Sequence, residues 1–409
     1  MRRVIALLIV LALATTFVAC KEAAPATSTP PETSPSAGTP TPDEPSEPSE
    51  ESTTPEASDV NPSDLANILG FFADGVDPQS RETLDIVYSY MLPLPLQLSI
   101  GGAIRELESI YNFKMTEYNA NNDLDAFIQN IQLYADQGVD GFITIIEPTA
   151  THRVMEIFDA TGLPYVSLLN SVRDEQGANL VPVVGADDVN IGVDMSAWLF
   201  DNYKEFWGEV DMAKVGLIPL TFSMNLGLNN RHNGCVQEWE KRLPDNKNIF
   251  TADGVTGGLN EDTAYNLVSA TIAANPEVEY WFITAPLEAY ALGAVRATEH
   301  LGVEDRTLIC SFGSDGLVAN WESGYEGNWA ACIAFTPYMY AIPMLSAVIS
   351  LHNGTSTRDT LWSKFRAEGD INTMFQIPYE IVSVKTYEEY MERYSLEAWQ
   401  DEIVTAMSK

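Results

Sequence analysis

The sequence predicts an α/β fold in two lobes, each built on a parallel sheet. Three observations lead there. Residues 137–171, QGVDGFITIIEPTATHRVMEIFDATGLPYVSLLNS, carry one complete strand–helix–strand unit. Similar units recur along the chain in two successive runs, each with four or more strands, as layered α/β lobes require. The folding part, roughly 345 residues, is also too long for one ordinary core and suits two.

The unit at 137–171 shows the logic of the rest. Residues 141–146 form a nearly continuous apolar run, as a strand covered on both faces should. Glu147-Pro148 stops it, and Thr149 or Thr151 can cap a helix whose apolar positions Val154, Ile157 and Phe158 recur at helical spacing. Gly162-Leu163-Pro164 ends that helix, and residues 165–169 form a second strand. Two strands joined by a helix imply a parallel crossover. Ligands bind such sheets at the carboxyl ends of the strands, here near Glu147 and Asn170.

In chain order, residues 1–20 read as a bacterial export signal. Arg2 and Arg3 supply its positive start, and an apolar core over 4–14 is too short to span comfortably. Phe17-Val18-Ala19-Cys20 resembles a lipobox, which makes Cys20 the expected lipidation site and membrane anchor. Residues 21–62 are Pro, Ser, Thr, Glu and Ala with no aromatic residue, so they are expected to be a disordered linker. A short leading helix is expected at 63–72.

The first run of units then predicts strands at 84–90, 113–118, 141–146, 165–169 and 180–184. Helices lie between them at about 95–110, 124–137 and 150–161, and Gly185-Ala186-Asp187-Asp188 leads into another through Tyr203. The second run predicts strands at 214–219, 249–252, 280–284, 307–312 and 328–335. Its helices fall at 229–242, 261–274, 287–301 and 315–323. A helix from Thr336-Pro337 to about Leu351, a last strand at 378–384 and a short acidic-aromatic helix complete the chain.

Composition excludes several function classes. The 22 basic and 58 acidic residues give a formal charge of −36, which argues against nucleic acid as a partner. The four histidines show no metal-ligand spacing, and there is no HExxH, GxSxG, Walker loop or GxGxxG. No catalytic residue, metal site or cofactor is therefore expected. The adjacent acids Asp187-Asp188 and Glu261-Asp262 read as helix caps and dipole partners. Three cysteines follow the linker. Cys310 and Cys332 lie on neighbouring strands and could pair, but all three are expected to be buried apolar residues.

Seven short stretches, in order, carry a family resemblance. Asn119-Ala120-Asn121-Asn122-Asp123, Gln137-Gly138-Val139-Asp140-Gly141 with Glu147-Pro148, and Gly162-Leu163-Pro164-Tyr165-Val166 come first. Val184-Gly185-Ala186-Asp187-Asp188 with Gly192 follows, then Ala291-Leu292-Gly293-Ala294, Ser311-Phe312-Gly313 and Ile333-Ala334-Phe335-Thr336-Pro337. Together they resemble the sugar-type periplasmic binding proteins of ABC importers, from about Thr83 to Tyr387. The resemblance implies the type I architecture, in which two doubly wound parallel-sheet lobes are joined by a hinge of three crossings. One lobe would span 63–186 with 336–362 returning to it. The other would span 187–335, with 363–409 returning to the hinge and that lobe.

The implied function is capture of a small polar ligand, a sugar, for an ABC permease, without chemistry. The rival readings are a sensory binding protein that docks on a receptor kinase and a cell-surface hydrolase. The implied ligand contacts are Ser89, Tyr90 and Met91 at the end of the first strand, Asn170 after the fourth, Arg231 at a helix start, Asp315, and Phe335 in a stacking role. Pro93, Pro95 and Leu96 stand where the family has asparagine and paired aromatics, and Leu287 where it often has asparagine. This cleft should therefore be less polar than a ribose site.

Overall fold

The computed structural model describes residues 80–146, 150–363, 366–377 and 379–393. The expected export segment, Cys20, the linker, the helix at 63–72 and Glu147 lie outside them. Among the described residues no helix is long and apolar enough to cross a membrane.

The first half of the chain alternates regularly. It runs β1 (Leu84–Tyr90), α1 (Pro95–Glu106), α2 (Glu108–Tyr111), β2 (Phe113–Asn119), α3 (Leu124–Gln137), β3 (Gly141–Thr144), α4 (Thr151–Thr161), β4 (Tyr165–Leu168) and β5 (Val183–Gly185). The second half runs α5 (Asp188–Trp207), β6 (Val215–Thr221), α6 (Leu226–Arg242), β7 (Ala252–Asp253), α7 (Glu261–Ala274), β8 (Tyr280–Ala285), α8 (Glu288–Leu301), β9 (Thr307–Phe312), α9 (Asp315–Glu322) and β10 (Trp329–Ala334). The chain closes with α10 (Pro337–His352), β11 (Met374–Gln376), β12 (Glu380–Ser383) and α11 (Tyr387–Arg393).

Two six-stranded sheets result. The first has the order β11-β5-β4-β3-β1-β2 and the second β12-β10-β9-β8-β6-β7. Every pairing in the first is parallel. In the second only β12 runs antiparallel, against β10. Strands β3, β6, β9 and β10 are buried along their whole length, which explains their unbroken apolar sequences: helices cover both faces.

The polypeptide passes between the sheets three times, at 185–188, 334–337 and 376–380. The last passage comes later than expected. Residues 374–376 pair with β5 in the first sheet, so the return from that sheet follows Gln376 and not residue 363. Three ladder residues with no apolar run give β11 no sequence signal.

Two local expectations are corrected. Helix α4 starts at Thr151 behind Ala150, with no side-chain cap; Thr151 is inside the helix and Thr149 is outside the described residues. Cys310 and Cys332 do not pair, and Cys235 is free as well; all three are buried. Cys310 stands opposite Ala331, and Cys332 opposite Ser311. The one-residue offset sends the two thiols to opposite faces of the sheet.

Candidate functional site

In each sheet the strand order reverses beside the first strand of its lobe, β1 against β3 and β6 against β8. Crevices form at such reversals, outside the carboxyl ends of the strands. A cavity of about 280 Å³ occupies that position between the lobes. The first lobe lines it with Met91, just past β1, with Ile145, just past β3, and with Leu169 and Asn170, just past β4. The second lobe contributes Phe222 after β6, Leu287 after β8 and Phe312 at the end of β9.

Arg231 is the buried cation of this cavity, 4% exposed. Its Nε donates to Asp188 Oδ1 at 2.8 Å, and Nη1 donates to the Pro286 carbonyl at 2.6 Å. The guanidinium lies over the Phe312 ring, 3.4 Å from its centroid. Helix packing sets this arrangement. Helices α5 and α6 cross at Gly192 and Gly234, so closely that a Cβ on Gly192 would sit 1.9 Å from the Arg231 carbonyl oxygen, and one on Gly234 2.0 Å from that of Val189. The crossing brings the first residue of α5, Asp188, against the second turn of α6. Asp187 serves as the expected cap, accepting from Asn190 N at 3.1 Å. Asp188 does not cap; it enters the cavity wall.

The remaining polar groups come from three places. Asn225 caps α6 through Leu228 N and donates to Asn170 Oδ1 at 3.3 Å across the cleft. Asn170 in turn donates to the Ile146 carbonyl at 3.3 Å. Leu169, before it, holds φ +65°, a conformation that costs a bulky side chain about 1–3 kcal/mol and turns the chain abruptly after β4. Gln97, on α1, lines the cavity at 8% exposure, and its side-chain oxygen has no hydrogen-bond partner.

Glu288 begins α8 and is 6% exposed. Its Oε1 accepts from Gly316 N at 2.7 Å. Burial pushes its carboxyl up to about 7, with the nearby Asp315 charge adding to the rise and the Gly316 hydrogen bond opposing it. Gly313, at φ +100°, gives the carboxyl its space: a Cβ there would lie 2.7 Å from Glu288 Cγ.

Three of the seven expected contacts therefore line the cavity, namely Met91, Asn170 and Arg231. Four do not. Ser89 is buried in the sheet, its Oγ donating to Thr144 Oγ1 at 2.8 Å. The Tyr90 hydroxyl donates to Glu117 Oε1 at 2.7 Å, away from the cleft. Phe335 packs in the core between Phe312 and Tyr340, at 5.0 and 5.1 Å between ring centroids. Asp315 accepts a hydrogen bond from Ser99 Oγ on α1, so it ties the lobes together at the edge of the cleft. Asp188, Gln97, Asn225 and Glu288 escaped sequence reasoning. Only Asp188 carried a local signal, and that signal was its place in an adjacent acid pair at a helix start.

The cleft is apolar, as the substitutions at Pro95, Leu96 and Leu287 implied. All three line it, along with Leu92 and Leu94 from the loop between β1 and α1.

Comparison with curated proteins gives no match. Solved structures share the fold. A solute-binding protein of an ABC transporter from Actinobacillus succinogenes, with bound D-allose, superposes with a TM-score of 0.58 at 14% identity, over 76% of this chain and 100% of that one. A Caulobacter myo-inositol-binding protein gives 0.60 at 16% identity, over 75% and 95%. A 5-methylthioribose transporter solute-binding protein from Thermotoga lettingae gives 0.58 at 16%, over 80% and 93%. The sequence model of the periplasmic binding protein domain matches residues 100–356, and with the two-sheet, three-crossing architecture around an interlobe cleft, the chain belongs to that family.

Proposed function

We propose that the protein captures a small ligand of the sugar class between its lobes and presents it to an ABC permease at the outer face of the cell membrane, held there through Cys20. The carrying observation is the buried Arg231–Asp188 pair in the wall of the interlobe cavity. The guanidinium commits Nε and Nη1 to the protein, and among the described residues its Nη2 makes no such bond, so it is available to a ligand oxygen. A charge-assisted hydrogen bond there, beside an aromatic face, suits a hydroxyl-bearing ring.

The reading involves capture without turnover. Met91, Asn170 and Arg231 remain the proposed contacts from the sequence, and Asp188, Gln97 and Glu288 join them. The D-allose, myo-inositol and 5-methylthioribose bound in similar structures support the ligand class. Contacts to both lobes favour the closed form by their differential affinity, which is how capture becomes a signal to a permease.

A thermal-shift screen of the full chain against pentoses, hexoses, polyols and their derivatives tests the ligand class. A ligand at 100 times its dissociation constant stabilises the protein by about 2.7 kcal/mol. Silence across the whole screen would sink the assignment.

A further inference from the structure

We infer that the ligand is amphipathic: a sugar or polyol head that carries an apolar alkyl, thioalkyl or aryl substituent. This rests on the sugar-class reading and narrows it.

The cavity sets a few polar groups in an apolar lining. Its deeply buried polar side chains, Gln97, Arg231 and Glu288, are 8%, 4% and 6% exposed. Apolar Ile145 and Phe312 are as deeply buried, at 5% and 3%, and the apolar lining continues out to Met224, at 62%. The loop after β1 and the first turn of α1 supply Met91, Leu92, Leu94 and Leu96, the last three half-buried. The facing lobe answers with Phe222 and Met224.

Two facts give these polar groups a ligand to serve. The Gln97 side-chain oxygen is buried without a partner, and an orphaned acceptor of that kind is expensive unless something donates to it. Among the described residues Arg231 keeps one nitrogen uncommitted across the same space. A head with several hydroxyls satisfies both. It cannot satisfy the apolar lining, because a bare sugar placed there would trade water for methyl groups at hydroxyls left without a partner. An apolar substituent gains where the hydroxyls would lose, by about fourfold in affinity for each methylene taken from water. Methionines at both sides of that lining suit a soft or irregular group, since the thioether side chain adapts its shape at little cost.

The test is calorimetric titration of the full chain with matched pairs: D-ribose against 5-methylthio-D-ribose, and D-galactose against its butyl and phenyl β-glycosides. The expected result is that at least one substituted member binds ten times tighter than its parent or better. Leu94→Ser should then reduce that ratio at least threefold, because it removes wall and not head contacts. If every substituted member binds less than ten times tighter than its parent, the amphipathic assignment is overturned while the sugar reading stands. If no compound binds, parent or substituted, both fall. A ratio that Leu94→Ser leaves untouched also overturns the assignment, since the gain would then arise elsewhere.

Discussion

Replacing Arg231 with methionine keeps most of the side-chain volume and deletes the charge, which makes it an informative perturbation of the cleft. In the folded protein Arg231 and Asp188 side chains are only 5% and 12% exposed. The substitution removes the 2.8 Å bond to Asp188 and the 2.6 Å bond to the Pro286 carbonyl, and it strands a carboxylate in a low-dielectric wall. Breaking one side of a buried pair costs about 3–5 kcal/mol. The ring contact with Phe312 is largely replaced by a sulfur–aromatic contact of smaller worth. At roughly 2 °C per kcal/mol for a protein of this size, the melting temperature should fall by about 6–10 °C. The double variant Arg231→Met with Asp188→Leu removes the stranded charge, so it should recover most of that loss, because a buried pair and its apolar replacement are often near balance. Ligand affinity should not return with it. Urea titration of the wild type, both single variants and the double variant gives the coupling energy, and titration with the best ligand gives the affinities. A single Arg231→Met variant as stable as wild type would refute the buried-pair argument. A double variant that binds normally would refute the role of Arg231 at the site.

Four further expectations follow from the same geometry. Glu288 titrates near 7 when folded and near 4.5 when unfolded, so its contribution is fully present below about pH 4.5 and fades as pH rises through about 7. Glu288→Gln should therefore gain stability relative to wild type over that window, by up to about 3 kcal/mol at its top, and parallel pH profiles of the two proteins would contradict the assignment. Gly192→Ala should cost about 1–3 kcal/mol through overpacking at the α5–α6 crossing and should weaken ligand binding at the same time, whereas full affinity in a destabilised protein would mean the crossing does not set the site. Ser99→Ala removes one bond of about 1 kcal/mol between the lobes and should raise the ligand-free radius of gyration in small-angle scattering; an unchanged profile would argue that Asp315 holds nothing closed. Cys235, Cys310 and Cys332 should resist a thiol reagent in the native protein and react in denaturant, because burial raises all three thiols, and fast native labelling would contradict their placement.

The fold was readable wherever physics is local. Runs such as TLICSF and LDIVYSY announce strands sheathed on both faces, and β1, β9 and α3 fall where the apolar patterns and cap put them; α7 has its expected range, but Asn260 caps it and Glu261 and Asp262 lie in its first turn. Strand β11 was unreadable because its three residues are ordered by pairing with β5 and not by their own pattern. The cleft divides in the same way. Met91, Asn170 and Arg231 could be found because strand ends and helix starts fix where a chain meets a crevice. Ser89 and Tyr90 failed because the crevice begins past the end of β1: Ser89 is held inside the sheet against Thr144, and the Tyr90 hydroxyl is taken by Glu117. Phe335 failed because an aromatic at a strand end can stack on a ligand or on neighbouring rings, and Phe312 and Tyr340 claim it. Gln97 and Glu288 have no local signature at all. Their meaning comes from a lobe contact and from space left by Gly313, which no linear pattern encodes.

The bonds that bridge the cleft, Ser99 to Asp315 and Asn225 to Asn170, also bear on timing. A solute sealed behind them cannot leave along its own path at its own pace. It must wait for the two halves to part, so its escape rate is the product of how often the gate opens and the fraction of openings that are productive. Chemically different passengers would then share similar escape rates while differing widely in equilibrium affinity, and the difference would appear in how readily each one triggers closing.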